Sequence, residues 1–587
     1  MQARADASLD RPAFTPARSI ARGRLALGVL LAVTLPLLFT ALDLEFLDPD
    51  EGLYADVAAH MIRRGDWIMP HFNQLPYLEK PPLYYWMSAL ALLVDGRAEW
   101  PLRFCSAVSA LGCVLLVWRI GRRLYGWAAG VLAGLVLATT AGNALYVRKA
   151  STDLLFVLCV TLALYGFLRD AERRGAGRRR FLLCYAAAAL ALLTKGLIGL
   201  AFPAIVIGAG LLWVRRLGLR DLNLGYGTAV FAAIALPWHL AVAWRAPELF
   251  WFYVVDNQIL RFLNARGVIE DDIPVTTIGF LLLSFVWFFP WSPLVLARTG
   301  PAEGREAAWR PVIVIWALVV MAFFALSRSK LEYYALPAFP ALALLVGAAW
   351  ASARDVGRWL VVTAVGCAIV GVGAVAAGVQ LTPAQALAGL AELNVYYRIV
   401  QERGGSFPFV SAAPFGRLLV ALGVVLVAGS VTALVCWRRA APRLAFAAVA
   451  GQGVVITVLI LRLLHLVEPH HSVRPVAEAL HARAAAGDVI AHEGSLEYSA
   501  ALPFYTGRQV AVVNGVRGDL EMASRRPEAA GLFLDTEGLV RAWSGAPRIF
   551  LVSLRARERS VVAALPEGSV HVVGRFGSRW LYSNQGM

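Results

Sequence analysis

The chain has 587 residues, 59% of them hydrophobic and 16% charged, and its 55 lysines and arginines outnumber 39 acids to give a net charge of +16. An ordinary soluble protein carries about a quarter charged residues, so this composition excludes a string of water-soluble domains and excludes disorder, leaving a polytopic α-helical membrane protein. In that class the positive balance is an orientation signal on cytoplasmic loops, not a nucleic-acid interface.

A bilayer crossing takes about 20 apolar residues. Residues 1–23 form a basic segment ahead of the first apolar run. That run is longer than a signal-peptide core and no small-residue cleavage site follows it, so it reads as a membrane helix. Runs at 24–43, 101–118, 127–147, 153–168, 181–194, 196–214, 226–244, 276–297, 311–326, 334–351, 359–379, 417–436 and 443–464 predict about thirteen crossings within a transmembrane domain, 24–464. The basic connections alternate. Arg4, Arg11, Arg18, Arg22 and Arg24, then Arg119, Arg122 and Arg123, the run 169–180, Arg215, Arg216 and Arg220, Arg298, Arg305 and Arg310, Arg354 and Arg358, and Arg438, Arg439 and Arg443 all fall on one side. This places the N-terminus in the cytoplasm and the C-terminus outside. The apolar stretch 83–94 is too short to cross and reads as an interfacial or re-entrant helix.

Residues 465–587 are polar and alternate strand-like runs (DVIAHEG, RQVAVVNG, RIFLVSL, SVHVVGRF) with helix-like ones, predicting a small C-terminal α/β domain on the outer face. The six cysteines lie in or beside apolar runs without a CxxC pair, so they read as structural thiols.

Candidate functional groups gather at the outward ends of the runs. In the first outward segment, 44–100, Asp48, Asp50 and Glu51 precede an amphipathic stretch from Tyr54 to Arg64, which suits a helix lying in the interface. Glu79 and Lys80 then stand before the rigid Pro81-Pro82 turn. Further along come Arg148, Lys149 and Asp153, Lys195 in a tight turn, Asp256, Asn257 and Arg261, and Arg328, Lys330 and Tyr334. Taken singly these are headgroup-level charges or snorkelling side chains. As a set, cations with a few acids at lipid depth suit a phosphate carried on a lipid.

Three other features carry less. His465, His470 and His471 with Glu468 have the composition of a metal site, but adjacent histidines seldom face one ion and a solvated linker is the plainer reading. Ser495 with His492 and Glu497 lacks a nucleophile elbow. Phe250-Trp251-Phe252 and Trp287-Phe288-Phe289 read as an interfacial aromatic belt.

The stretch DPDEGLYADVAAHMIRRGDWIMPHFNQLPYLEKPPLYYWMSALA, with RKASTD, LTKGLIG, DNQILRF and SRSKLEYYALPAFPALALL, resembles the bacterial polyprenol-phosphate-dependent GT-C glycosyltransferases. The likeness is greatest to the lipid A 4-amino-4-deoxy-L-arabinose transferases, which are related to protein O-mannosyltransferases, and it spans residues 24–350. The resemblance implies a bacterial inner-membrane enzyme with a periplasmic active site, moving a sugar from an undecaprenyl-phosphate carrier to lipid A or another envelope acceptor, with inversion and without a cofactor or metal. It places the catalytic acid on Asp50, with Glu51 beside it, and a second site aspartate on Asp153. Tyr54, Glu79, Lys80, Lys195, Arg261, Lys330 and Tyr334 become donor and phosphate contacts. Two positions depart from the pattern: Leu53 stands where many relatives have arginine, and Asn257 and Gln258 where some have histidine. A protein O-mannosyltransferase-like activity is the second reading. A transporter or lipid flippase is the third, and it expects polar groups at the midplane, not on one face.

Overall fold

The structure, a computed structural model, describes residues 16–586 except 48, 97, 173–176, 215–217, 264–274, 300–303, 354, 394, 403–406, 517–519 and 546. Asp48, Arg4, Arg11, Arg215, Arg216, Arg354 and part of the basic run 169–180 therefore lie outside the described residues. Every apolar run contains a helix. Among the described residues, seven helices are long and apolar enough to cross a membrane, including Trp100–Tyr125, Thr152–Ala171, Leu224–Arg245, Val356–Val379 and Ala413–Arg438. Shorter apolar helices such as Trp127–Ala138, Leu182–Lys195 and Thr277–Trp287 pack among them. The lipid-facing surface is apolar: Leu212, Trp244, Ile278, Leu282 and Ile369 are all exposed, as a bilayer-immersed bundle requires.

Helix contacts rest on small residues. Val356–Val379 and Ala413–Arg438 approach so closely that a Cβ on Gly378 would meet the Gly416 carbonyl oxygen at 2.6 Å, and one on Gly371 the Gly423 oxygen at 2.7 Å. Such contacts hold helices together where lipid removes the hydrophobic drive. Between these two helices the chain adds two short helices, Pro383–Leu393 and Val395–Glu402.

The C-terminal unit forms a six-stranded sheet in the order Phe533–Leu534, Val510–Val513, Val489–Glu493, Ile549–Ser553, Arg579–Ser583, His571–Phe576. The first four strands are parallel and the last two antiparallel. The buried run of Ile549–Ser553 fits a strand covered on both faces. The strand-like runs DVIAHEG, RQVAVVNG, RIFLVSL and SVHVVGRF each supply one of these strands.

The helix Asp50–Arg64 corrects an expectation. Acids in its first turn, Arg63 and Arg64 in its last and the left-handed Gly65 beyond suit its dipole and its end. It does not lie at a lipid interface, because Glu51 through Met61 are all buried. Its polar face is satisfied inside the protein: Asp56 takes His60 at 3.2 Å and Arg63 at 3.4 Å. Its first turn rests on the C-terminal unit, where a Cβ on Gly52 would meet the Ala501 nitrogen at 2.2 Å.

Candidate active site

Four ion pairs, built on three carboxylates, gather residues from several parts of the chain. Asp50 opens the helix Asp50–Arg64, and its Oδ2 meets Lys149 Nζ at 2.7 Å. Asp153 lies in the first turn of Thr152–Ala171, behind an N-capping Ser151, and pairs with Lys195 from the last turn of Leu182–Lys195. Glu79 Oε1 accepts from Lys80 Nζ at 3.1 Å and from Arg261 Nη1 at 3.2 Å, while its Oε2 accepts the Tyr77 hydroxyl at 2.6 Å.

Arg261 reaches Glu79 from a nine-residue π-helical segment, Phe252–Leu260. Within it Asn257 donates Nδ2 to the Glu79 carbonyl at 2.6 Å and accepts Arg261 Nη1 at 3.3 Å. π-helical turns are rare and concentrate at functional sites.

The pairs belong to one electrostatic site. Asp50 is influenced by Lys80 and Glu79 as well as Lys149, and Lys195 by Lys80 and Arg261. Burial, the largest influence, would raise the Asp50 carboxyl, but the charge and hydrogen bond of Lys149 together with the charge of Lys80 outweigh it and hold the group below the ordinary carboxylate range. Lys80, Lys149, Lys195 and Arg261 are four cations against the three carboxylates Asp50, Glu79 and Asp153. Glu332 adds a fourth acid near Lys149, but on the other side Lys80 and Arg261 share the single carboxylate Glu79, and that local excess of positive charge can receive an anion.

Tyrosines wall the cluster. Tyr54 is buried against Tyr84 and Tyr85, with ring centroids at 5.8 and 5.6 Å. The Tyr333 ring has Lys149 at 5.4 Å and Lys195 at 5.4 Å, and Tyr334 has Lys195 at 5.1 Å. Such faces attract ammonium groups. A cleft lined by Asp153, Phe156, Lys195, Phe324, Tyr333 and Tyr334 opens among them.

Not every expected residue faces this cleft. Both oxygens of Glu51 are committed: Oε1 accepts Arg103 Nε at 2.9 Å and the Ala150 N–H at 2.7 Å, and Oε2 accepts Arg103 Nη2 at 2.8 Å and the Leu47 N–H at 3.0 Å. Arg103 is wholly buried and also donates to the Leu42, Leu44 and Glu45 carbonyls. Lys330 turns away to Thr277 Oγ1 at 2.7 Å and the Ala325 carbonyl at 3.1 Å. Arg148 is spent on the Ala144 and Leu37 carbonyls and on Thr40, so its neighbour Lys149 is the residue that enters the site. Sequence reasoning also missed Tyr333, Tyr77 and Arg103 as members or supports of the site.

The weaker candidates resolve as structure. His470 and His471 are buried against Tyr397, so the solvated-linker reading fails. Among the described residues no group of three or more His, Cys, Asp or Glu is placed to hold a metal ion. His492 Nε2 meets Ser499 Oγ at 3.0 Å, whereas the Ser495 hydroxyl accepts the Glu497 N–H at 3.4 Å, so no hydrolase set forms. In the aromatic clusters Trp251 is exposed while Phe252 and Phe288 are buried, so the belt reading holds only in part.

The family model for dolichyl-phosphate-mannose-protein mannosyltransferase matches residues 79–240. The undecaprenyl phosphate-alpha-4-amino-4-deoxy-L-arabinose arabinosyl transferase of Pseudomonas aeruginosa (strain UCBPP-PA14) is 32% identical over 544 residues, covering 88% of this chain and 91% of the relative. The chain belongs to this arabinosyl transferase family. The family likeness extends to the whole fold: the crystal structure of ArnT from Cupriavidus metallidurans bound to undecaprenyl phosphate matches with a TM-score of 0.78 and 25% identity, covering 95% of this chain and 98% of that one. Its apo form matches with a TM-score of 0.77, 25% identity, and 96% and 98% coverage. The four ion pairs thus sit in an arabinosyl transferase GT-C scaffold, and the chain is a glycosyltransferase.

Proposed function

We propose that the protein transfers 4-amino-4-deoxy-L-arabinose from undecaprenyl phosphate to lipid A or a related envelope acceptor, at the periplasmic face of the bacterial inner membrane. The observation that carries this reading is the positive cluster around Glu79, Asp50 and Asp153 in a chain whose relatives are named for this donor. About thirteen crossings, a cytoplasmic N-terminus and an outer C-terminal domain at 465–587 complete the topology.

Breaking the bond between sugar and phosphate leaves a polyprenyl phosphate whose growing charge needs fixed positive partners in a low-dielectric site. Lys80 and Arg261 supply them, held in register by Glu79 and Asn257, and Lys195 with Tyr334 contributes on the Asp153 side. Tyr54 walls the site between them. Asp50 is the catalytic carboxylate. Its ion pair with Lys149 makes it a weak base, which suits an acceptor that is already ionised better than a protein hydroxyl, and this favours the main reading over an O-mannosyltransferase-like one. Asp50 then orients the acceptor and stabilises oxocarbenium character, and direct displacement inverts the anomeric centre. Glu51 and Lys330 support the site from behind.

The experiment supplies a labelled undecaprenyl-phosphate sugar and lipid A to the purified full-length protein and compares Asp50→Asn with the parent. Labelled lipid A from the parent and a loss of at least a hundredfold in Asp50→Asn are expected, on the order found for groups acting in the transition state. Equal rates refute the catalytic assignment, and label appearing in protein instead of lipid moves the acceptor to the second reading.

A further inference from the structure

One buried residue ties the C-terminal sheet to the segments that carry the ion-pair cluster. The chain between the Asp50 helix and Lys80 forms a hairpin, His71–Phe72 against Leu75–Pro76, whose two tip residues Asn73 and Gln74 have φ of 50° and 66°. Positive φ at both tip positions is the type I′ geometry that asparagine tolerates. Asn73 is wholly buried and every polar group on it is used. Its backbone N–H donates to Asp56 Oδ2 at 2.8 Å, on the Asp50 helix. Its side-chain amide donates to the Val510 carbonyl and accepts the Val510 N–H, both at 2.8 Å, at the first residue of a central parallel strand. Its own carbonyl accepts Gln509 Nε2 at 3.3 Å.

The hairpin's returning strand leads straight into the site. Tyr77 closes it through an N–H to the Pro70 carbonyl at 2.9 Å, packs its ring on Phe72, and donates its hydroxyl to Glu79. Asn73 is therefore where three bodies are tied: the helix carrying Asp50, the segment carrying Glu79 and Lys80, and the C-terminal sheet. The amide pairs with a strand end as another strand would, so the join is directional and fixes the hairpin's position along the sheet. Apolar contact at Gly52 and Ala501 could not do this.

We propose that Asn73 is a positioning residue, through which the C-terminal sheet sets the placement of Asp50 relative to Lys80 and so becomes part of the active site. The inference rests on the reading of the cluster as the donor and transfer site. Asn73 acts at a distance, touching neither substrate.

The test uses the full-length protein in nanodiscs, with Asn73→Ala, Asn73→Asp and, as a control, Arg474→Met. Arg474 joins the same two parts of the molecule through Glu99 at 3.1 Å but touches neither the Asp50 helix nor the hairpin. Sugar transfer, undecaprenyl phosphate binding and thermal midpoint are measured, with rates expressed per folded molecule. Asn73→Ala is expected to lower kcat by on the order of 10–100-fold and to weaken undecaprenyl phosphate binding, since two buried hydrogen bonds are lost. Asn73→Asp keeps the acceptor for the Val510 N–H and recovers part of the rate, and it carries the comparison if the alanine variant does not fold. Arg474→Met stays within about twofold of the parent, the range of partly exposed ion pairs. Asn73→Ala with parental kcat and binding and only a lower thermal midpoint overturns the proposal, as does an Arg474→Met loss equal to that of Asn73→Ala. A parent that transfers no sugar overturns the functional reading instead, and is recognised before any variant is compared.

Discussion

Glu51 offers the sharpest test of how the site is held. Glu51→Gln keeps the shape of the side chain but places an NH2 where one carboxylate oxygen accepted two donors. Four donors converge on Glu51: two from Arg103 and the N–H groups of Leu47 and Ala150. A glutamine oxygen can serve two of them, and the other two are left facing donors. The Arg103 guanidinium, with no exposed side-chain surface, also loses its counter-ion. Breaking a buried ion pair by removing one partner costs about 3–5 kcal/mol. Where that energy holds the segment 42–47 and Ala150 around Asp50 and Lys149, the same cost appears as a loss of transfer of about two to three and a half decades, at roughly 1.4 kcal/mol per decade. The assay is sugar transfer by purified Glu51→Gln beside its thermal midpoint, with a paired Glu51→Leu, Arg103→Met variant. The paired variant leaves no buried charge and is expected to recover thermal stability more than activity. A Glu51→Gln protein with parental midpoint and a rate within twofold of the parent refutes the reasoning.

Two further outcomes follow from charge. Lys149→Gln removes the ammonium that does most to hold the Asp50 carboxyl down, so burial counts for more and the acid limb of the kcat/KM profile moves to higher pH; an unmoved limb removes Asp50 from the profile. In the C-terminal domain burial pushes His492 down to about 4 from its ordinary 6.5. The unfolded domain therefore binds the proton first, so stability is full above pH 6.5, falls by roughly 3 kcal/mol on the way to pH 4 and is flat below. Hydrogen exchange of Val489–Glu493 should follow that course in the parent and flatten in His492→Asn; equal slopes exclude His492 as its source.

The sequence was most legible where chemistry is costly. Glu79, Lys80, Lys195, Arg261 and Asp153 stood out because charges at bilayer depth persist only with a use, and the structure brings them within one another's fields. Legibility failed where a turn decides direction. Between Tyr146 and Thr152 nothing in RKAS says which cation points inward, and the backbone sends Arg148 to carbonyl oxygens and Lys149 to Asp50. The same ambiguity hid Tyr333 beside Tyr334, although its ring spans two ammonium groups. The Asp50 helix misled for another reason. An amphipathic pattern reports a boundary between apolar and polar surroundings, and here the polar side is Asp56 and His60, paired and buried inside the protein, with the exposed Arg63 reaching in to Asp56. The seam itself leaves no periodic trace, since Asn73 and Val510 are 437 positions apart.

The π-helical segment Phe252–Leu260 has a consequence for insertions and deletions. Wider turns carry a surplus residue relative to an α-helix, so the segment acts as a phase shifter between the helix before it and Arg261 after it. Each residue of an α-helix advances the azimuth by about 100°. Rewinding these nine residues as an α-helix of the same length would swing Arg261 by about that angle off Glu79, with every side chain of the site still present. Natural length variation should therefore collect after Leu263, on the far side of Arg261, and spare the nine residues that set its bearing.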